Sequence, residues 1–322
     1  MKVLLTSSGR RTSLLKAFKE ALSPYGGSVF AGDIDGLAPT LFLADKALIL
    51  LPINNEGYLD SLLDIIVKEE IRLLVPTIDT ELEVLSKNKD KFLEKGCTPL
   101  ISSPKTIDIT FDKWTTATFF TKRGIKVPAS WLPEKINFRD LPEKLFIKPR
   151  RGSASQHTYK VNKRDLEKFL DWVPDPIIQE ELTGPEITVD ALLDFSGNLI
   201  HYVPRKRIRT LAGESIQGQT IDDTEIRTWL CTVFGALGHS GAVGPITIQF
   251  FHTERGPTLT EVNPRFGGGF PLANAAGGHY PRWIIQMLYG EKTDIKIGQY
   301  KKGLFMTRYY EEIFIEEGNF KW

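Results

Sequence analysis

The chain has 322 residues, with 41 Lys and Arg against 40 Asp and Glu, for a net charge of +1. That length supports a large buried core and two or three domains, and the balanced charge supplies no field to recruit nucleic acid or an anionic membrane. Two distant cysteines, Cys97 and Cys231, and five histidines without zinc-ligand spacing exclude a disulfide scaffold or zinc module and fit a reducing compartment.

Residues 1–5 enter directly into a short apolar strand, and polar residues 6–12 follow where a secretory leader would continue. No apolar run reaches the ~20 residues of a membrane span, so the expectation is a cytoplasmic protein. Up to about residue 100, short apolar runs alternate with longer segments of helical spacing, the rhythm of a parallel α/β sheet. Strands are predicted over 2–6, 28–33, 47–50 and 71–75, and helices over 12–22, 58–70 and 80–95. The first turn, Thr6-Ser7-Ser8-Gly9-Arg10-Arg11, has one glycine where a dinucleotide fingerprint needs three, which argues against a nicotinamide enzyme using Asp33 as ribose acceptor. Arg10 and Arg11 suit an anion or plain solvation, and Asp79 and Glu81, past a strand's carboxyl end, suit a ligand or a helix cap.

Residues 106–123, containing Asp112-Lys113-Trp114, are predicted as one helix stopped by Gly124 and Pro128. An α+β unit follows, with strands over 145–148, 158–161, 177–179 and 186–193 and helices over 163–172 and 223–238. Lys148 ends a strand just before Arg150-Arg151-Gly152-Ser153-Ala154-Ser155, where small residues expose backbone donors to a phosphate and the lysine adds a point charge. This is no Walker loop, since Gly-Lys-Ser/Thr is missing and a strand follows; it reads as a lid over phosphates or as a solvated hairpin. The connector Glu180-Glu181-Leu182 leading to Glu186 can offer backbone groups to an adenine edge and a carboxylate to ribose, or be plain surface. On a strand, Arg205, Arg207 and Arg209 share a face that grips an anionic substrate or γ-phosphate, or that faces solvent.

The most informative segment is Glu261-Val262-Asn263-Pro264-Arg265. At spacing two, a strand points a carboxylate, a carboxamide and a guanidinium to one face. Glu261 and Asn263 supply hard oxygens for magnesium, and Arg265 a fork for phosphate; the alternative is a polar edge strand. Upstream, 244–251 and 258–262 read as a hairpin that sets Gln249 beside Glu261, since cross-strand neighbours lie roughly 5 Å apart.

Read in order, Asp112-Lys113, Ile147-Lys148-Pro149 before a glycine loop, Gln179-Glu180-Glu181-Leu182-x-Gly184-x-Glu186, Gln249 and Glu261-Val262-Asn263-Pro264-Arg265 resemble the ATP-grasp superfamily over essentially the whole chain, and most of all single-unit proteins similar to the carbamoyl phosphate synthase large subunit. The resemblance implies an amino-terminal parallel α/β domain (1–103), a small lobe with the phosphate loop (104–180) and a large lobe with the metal site (181–322). It implies that Lys113 and Lys148 contact ATP phosphates, that Gly152, Ser153 and Ser155 belong to the closing loop, that Glu180, Glu181 and Leu182 line adenine and that Glu186 holds ribose. Gln249, Glu261 and Asn263 would bind one or two Mg²⁺ ions, with Mn²⁺ as a substitute, and Arg265, with Lys148 and Arg207, would serve phosphoryl transfer. The implied reaction is ATP-dependent ligation of a small-molecule carboxylate to an amine or thiol, in a chain that pairs as a homodimer. Leu211 stands where the synthase has a histidine, which removes the basis for inferring carboxyphosphate chemistry. Rival readings are a non-catalytic ATP-binding protein of the same fold and a synthase-like fragment.

Overall fold

A computed structural model describes residues 1–152, 157–211, 214–293 and 295–317. The first sheet is parallel, in the order β3-β2-β1-β4-β5, from β1 (Lys2–Thr6), β2 (Ser28–Asp33), β3 (Lys46–Ile49), β4 (Leu73–Pro76) and β5 (Thr98–Pro99). Val3, Leu4, Leu5, Leu73, Leu74 and Val75 are fully buried, as both faces of a parallel sheet require. Its crossovers are α1 (Thr12–Leu22), α2 (Pro39–Leu43), α3 (Tyr58–Glu69), α4 (Leu82–Lys87) and α5 (Lys89–Glu94). The single helix expected over 80–95 is broken at Asn88, whose backbone leaves the helical region and whose side chain donates to the Val84 carbonyl at 2.9 Å.

Next come α6 (Pro104–Phe111) and α7 (Lys113–Thr121), where one helix over 106–123 was expected. Asp112 is extended (φ −107°, ψ 116°), and its Oδ1 caps α7 by accepting from Trp114 N (2.8 Å) and Thr115 N (3.2 Å). The break sets Lys113 at the first position of α7. A four-stranded antiparallel sheet follows, ordered β6-β9-β7-β8, from β6 (Ser130–Trp131), β7 (Lys144–Pro149), β8 (Tyr159–Asn162) and β9 (Pro176–Glu180), with α8 (Leu166–Leu170) on Leu145, Ile147 and Val161.

The largest sheet is ordered β14-β13-β10-β11-β12-β15, from β10 (Glu186–Leu193), β11 (Leu199–Leu211), β12 (Glu214–Thr220), β13 (Gly244–Thr253), β14 (Gly256–Asn263) and β15 (Phe305–Thr307). One face is covered by α9 (Arg227–Gly238) through Leu230, Val233, Phe234 and Leu237. The helices α10 (Phe270–Ala275) and α11 (Tyr280–Leu288) turn back onto the first sheet, so Phe266, Phe270, Tyr280, Ile284 and Ile285 share one core with Val3, Leu5, Leu14 and Phe18. Each such buried side chain contributes about 1.5–3 kcal/mol, enough to hold the end of β14 firmly against β1 and α1.

Candidate active site

Between the sheets lies a cleft of about 1160 Å³. A pocket for one drug-sized ligand usually holds about 300–1,000 Å³, so a nucleotide and a second small molecule fit together. Of the residues singled out from sequence, Lys113, Lys148, Gly152, Glu180, Glu181, Leu182, Glu186, Arg207, Gln249, Glu261, Asn263 and Arg265 all line this cleft, as do Arg10, Arg11 and Asp79. Ser153 and Ser155 lie outside the described residues.

The β13/β14 hairpin supplies the centre. Gln249 pairs with Glu261, as expected from sequence, and Thr247 pairs with Asn263. Asn263 Nδ2 donates to Glu261 Oε1 at 2.9 Å, and Gln249 Oε1 accepts from Arg207 Nη1 at 3.0 Å. Among the described residues no group of three or more His, Cys, Asp or Glu is spaced to hold a metal alone. One carboxylate and two carboxamides suit magnesium nonetheless, because that ion keeps several water and phosphate oxygens of its own. Turning the Asn263 amide about its last torsion presents its oxygen in place of its nitrogen.

Besides Arg207, three further cations lie around these oxygens. Lys148, on β7 beside Phe146, is buried; desolvation pushes its pKa down to about 8, with Glu261 opposing and Lys113 adding to the shift. Lys113 is likewise lowered by burial, and its Nζ donates to the Gly152 carbonyl at 3.0 Å. Arg265 follows the end of β14, and its Nη2 donates to Asp79 Oδ2 at 2.8 Å. Burial works against the Arg265 charge, but Asp79, Glu261 and Asp190 prevail and raise its pKa. Its Nε is buried and has no hydrogen-bond partner among the described residues, a cost the fold carries at this position.

Several side chains are turned differently from their expected use. Glu180 accepts from Ala129 N (3.0 Å) and Arg255 Nη2 (2.8 Å), so its carboxylate is engaged by protein; Glu181, expected to act through its backbone, pairs its side chain with Lys160 at 2.8 Å. Glu186 Oε1 lies 2.5 Å from Arg207 Nη1. Arg209 does not share a face with Arg205 and Arg207: irregularities in the β11/β12 ladder on either side of it break the alternation, and it is exposed. Arg205 is buried on Asp190 (3.0 Å) and Ser215 (3.0 Å). Asp33 caps its own loop, accepting from Gly9 N at 2.7 Å and Asp35 N at 3.0 Å, which removes the basis for a ribose role. Glu81 is fully buried and accepts from Thr6 (2.9 Å), Ser7 (2.7 Å) and Tyr58 (3.0 Å).

Sequence reasoning missed Arg308, which donates to the Gly268 carbonyl and to Glu214 Oε2 (3.2 Å). It reaches the cleft wall because β15 adds to the edge of β12; the weak local sign was the short apolar run at Phe305-Met306. At Gly267, Gly268 and Gly269 a Cβ would lie 2.6 Å from Asp190 and Thr247, 2.8 Å from Glu214 and 2.2 Å from Arg205 respectively, so a side chain there requires these neighbours to shift.

A family model described as a PylC-like N-terminal domain matches residues 3–100, and one described as ATP-grasp in the biosynthetic pathway with Ter operon matches residues 173–311. The carboxyl-terminal part of the chain is thus similar to the ATP-grasp superfamily. A D-alanine–D-alanine ligase of Corynebacterium urealyticum is 29% identical over 143 residues, a stretch covering 37% of this chain and 39% of that enzyme. Among solved ATP-grasp folds, the biotin carboxylase domain dimer of Hydrogenobacter thermophilus 2-oxoglutarate carboxylase, in complex with MgADP, ADP and bicarbonate, superposes with a TM-score of 0.74 at 17% identity, covering 94% of this chain and 73% of that one. An L-amino acid ligase of Bacillus licheniformis gives a TM-score of 0.69 at 15% identity, covering 88% and 73%. Both share the fold: a parallel amino-terminal α/β domain ahead of the antiparallel ATP-grasp sheets. Among the described residues no helix is long and apolar enough to cross a membrane.

Proposed function

We propose that this chain is an ATP-dependent ligase that phosphorylates a carboxylate to an acyl phosphate, which an amine or thiol then attacks with release of phosphate. The observation that carries this reading is the convergence of Lys113, Lys148 and Arg265 on the oxygens of Gln249, Glu261 and Asn263 in a cleft with room for a second molecule. The names of two relatives, a D-alanine–D-alanine ligase and an L-amino acid ligase, support it.

A carboxylate is a poor acyl donor because oxide would have to leave; phosphorylating that oxygen makes a mixed anhydride, from which phosphate is a good leaving group. In this reading Lys113 and Lys148 hold the ATP phosphates, the backbone of 180–182 meets the adenine edge, and Glu186 meets ribose through the oxygen that Arg207 does not engage. Gln249, Glu261 and Asn263 hold one or two magnesium ions, or manganese in their place. Magnesium there neutralises charge on the phosphate oxygens and orients them. Arg265, with Arg207, steadies the transferring phosphoryl group from the cleft wall. We further take 1–103, 104–180 and 181–322 as three units that bring these groups together, and the molecule as a homodimer, checked by light scattering.

The experiment is acceptor-dependent ADP release from ATP and Mg²⁺ with a panel of amino, sugar and hydroxy acids combined with amines and thiols. Turnover with one combination is expected, and Glu261→Gln abolishes it. ATP binding without turnover across the whole panel would favour the non-catalytic reading, and an unchanged rate in Glu261→Gln would refute the metal assignment.

A further inference from the structure

The cleft continues beyond the phosphoryl-transfer residues to a second charged end. The strand order of the first sheet reverses at β1 and β4, and the crevice outside the carboxyl ends at such a switch point is where open α/β sheets bind ligands. Arg10 and Arg11 come from the loop after β1, and Thr77 and Asp79 from the loop after β4; Glu214 and Gly268 close the opposite wall.

Arg11 differs from the other arginines in and behind these walls that are withdrawn from solvent. Arg205, Arg207, Arg265 and Arg308 each have a carboxylate oxygen within 3.2 Å. For Arg11 the carboxylate oxygen that comes within ion-pair range, Glu214 Oε1, is 4.0 Å away, and its Nη2 makes one long bond of 3.4 Å to the Thr77 carbonyl. Charge-assisted N–H···O bonds are usually about 2.7–2.9 Å, so the fork is largely unspent although the side chain is only 20% exposed. Burial first and the neighbouring Arg265 second lower its pKa to about 10, the mark of a cation short of counter-charge. Arg10, Arg11 and Arg265 line this end against Asp79 and Glu214, with Arg308 standing behind Glu214, so positive charge is in excess.

We propose that Arg11, assisted by the exposed Arg10, receives a small-molecule oxyanion other than the carboxylate that ATP activates. Resting on the ligase reading, this names the substrate class: one substrate carries an extra carboxylate or phosphate, either as a remote group on the acid or as the carboxylate of an amino-acid nucleophile. The fork of Arg11 forms two parallel N–H···O bonds to it.

The test is calorimetric titration of the full chain, with and without MgADP. Succinate and 3-phosphoglycerate carry a second anion and no amine, L-alanine carries an amine and one carboxylate, and acetate is the control. At least one of the first three should bind ten-fold more tightly than acetate, and Arg11→Gln should erase that preference while changing ADP affinity less than two-fold. Preference for succinate or 3-phosphoglycerate places the anion on the acid, and preference for alanine places it on the nucleophile. If Arg11→Gln does not fold, Arg11→Lys, which keeps the charge and loses the fork, should weaken the preferred anion at least three-fold. No preference over acetate, or one that survives both substitutions, overturns the proposal. Arg11-dependent anion binding without any ADP binding would remove the ligase reading and leave the subsite.

Discussion

Arg265 donates to Asp79 at 2.8 Å and so ties the end of β14 to the loop after β4 across 186 positions of sequence. Both side chains are mostly buried, 12% and 15% exposed, so the pair is held in place rather than averaged by solvent. It is the direct electrostatic link between the parallel sheet and the strand that carries Glu261 and Asn263.

Asp79→Asn removes the charge from that link. It should lower unfolding free energy by about 1–3 kcal/mol, the range for a buried charge-assisted hydrogen bond, and slow ADP release by at least about ten-fold as Arg265 loses its anchor. Denaturant unfolding and steady-state kinetics on the same preparation check both; an unchanged rate with lowered stability would limit Asp79 to a structural part.

Lys148 is predicted to trade stability for binding. Its folded pKa of about 8 lies below the ordinary 10.5 of an unfolded lysine. Between those values the unfolded chain binds more protons, so this group adds stability as pH rises through the window and costs stability below it. Lys148→Met should therefore raise Tm at pH 7 while abolishing ATP binding. ATP phosphates favour the charged form, so ATP binding by the unmodified protein should weaken above about pH 8 and take up a proton there. Calorimetry in buffers of different ionisation enthalpy reads that proton.

Glu81 predicts the opposite slope. Burial raises its pKa above 4.5 against the hydrogen bonds from Ser7, Thr6 and Tyr58. The folded state then binds more protons between 4.5 and the raised value, so this contribution is largest at acid pH and is lost as pH rises through the folded pKa. Glu81→Gln should flatten that part of the stability profile. Glu81→Leu leaves three hydroxyls without their acceptor and should cost at least about 3 kcal/mol, read from urea midpoints.

Two glycines separate space from conformation. Gly269→Ala would set a Cβ 2.2 Å from the Arg205 guanidinium and should destabilise by about 1–3 kcal/mol or more, as overpacking does. Gly235, inside α9, has nothing within 4 Å of a Cβ, so Gly235→Ala should stabilise by about 0.5–1 kcal/mol. Thermal melts of the two variants should move in opposite directions.

The amino-terminal sheet was legible because its strands are short continuous apolar runs between amphipathic segments; the bounds 2–6, 12–22 and 28–33 match, as does 186–193 in the largest sheet. The pairing of Gln249 with Glu261 was legible from the turn between two strand patterns. The break at Asp112 was not, because the apolar spacing runs on past it while its carboxylate is drawn into capping α7 and pairing Arg150 at 2.6 Å. Arg209 failed because a bulge has no periodic signature. Arg308 depends on an edge pairing made some 90 residues along the chain, which local pattern does not encode.

The bonds gathered by Glu81 also decide how this molecule can change. They hold Ser7 at a left-handed φ of 46° and, together with the cap that Asp33 places on Gly9, mould the loop before any ligand arrives. Binding at Arg10 and Arg11 then carries little ordering entropy. On the proposed reading, new ligand preferences arise by exchanging those two side chains on an unaltered backbone, and the loop serves as an interchangeable reading head beside a fixed phosphoryl-transfer site.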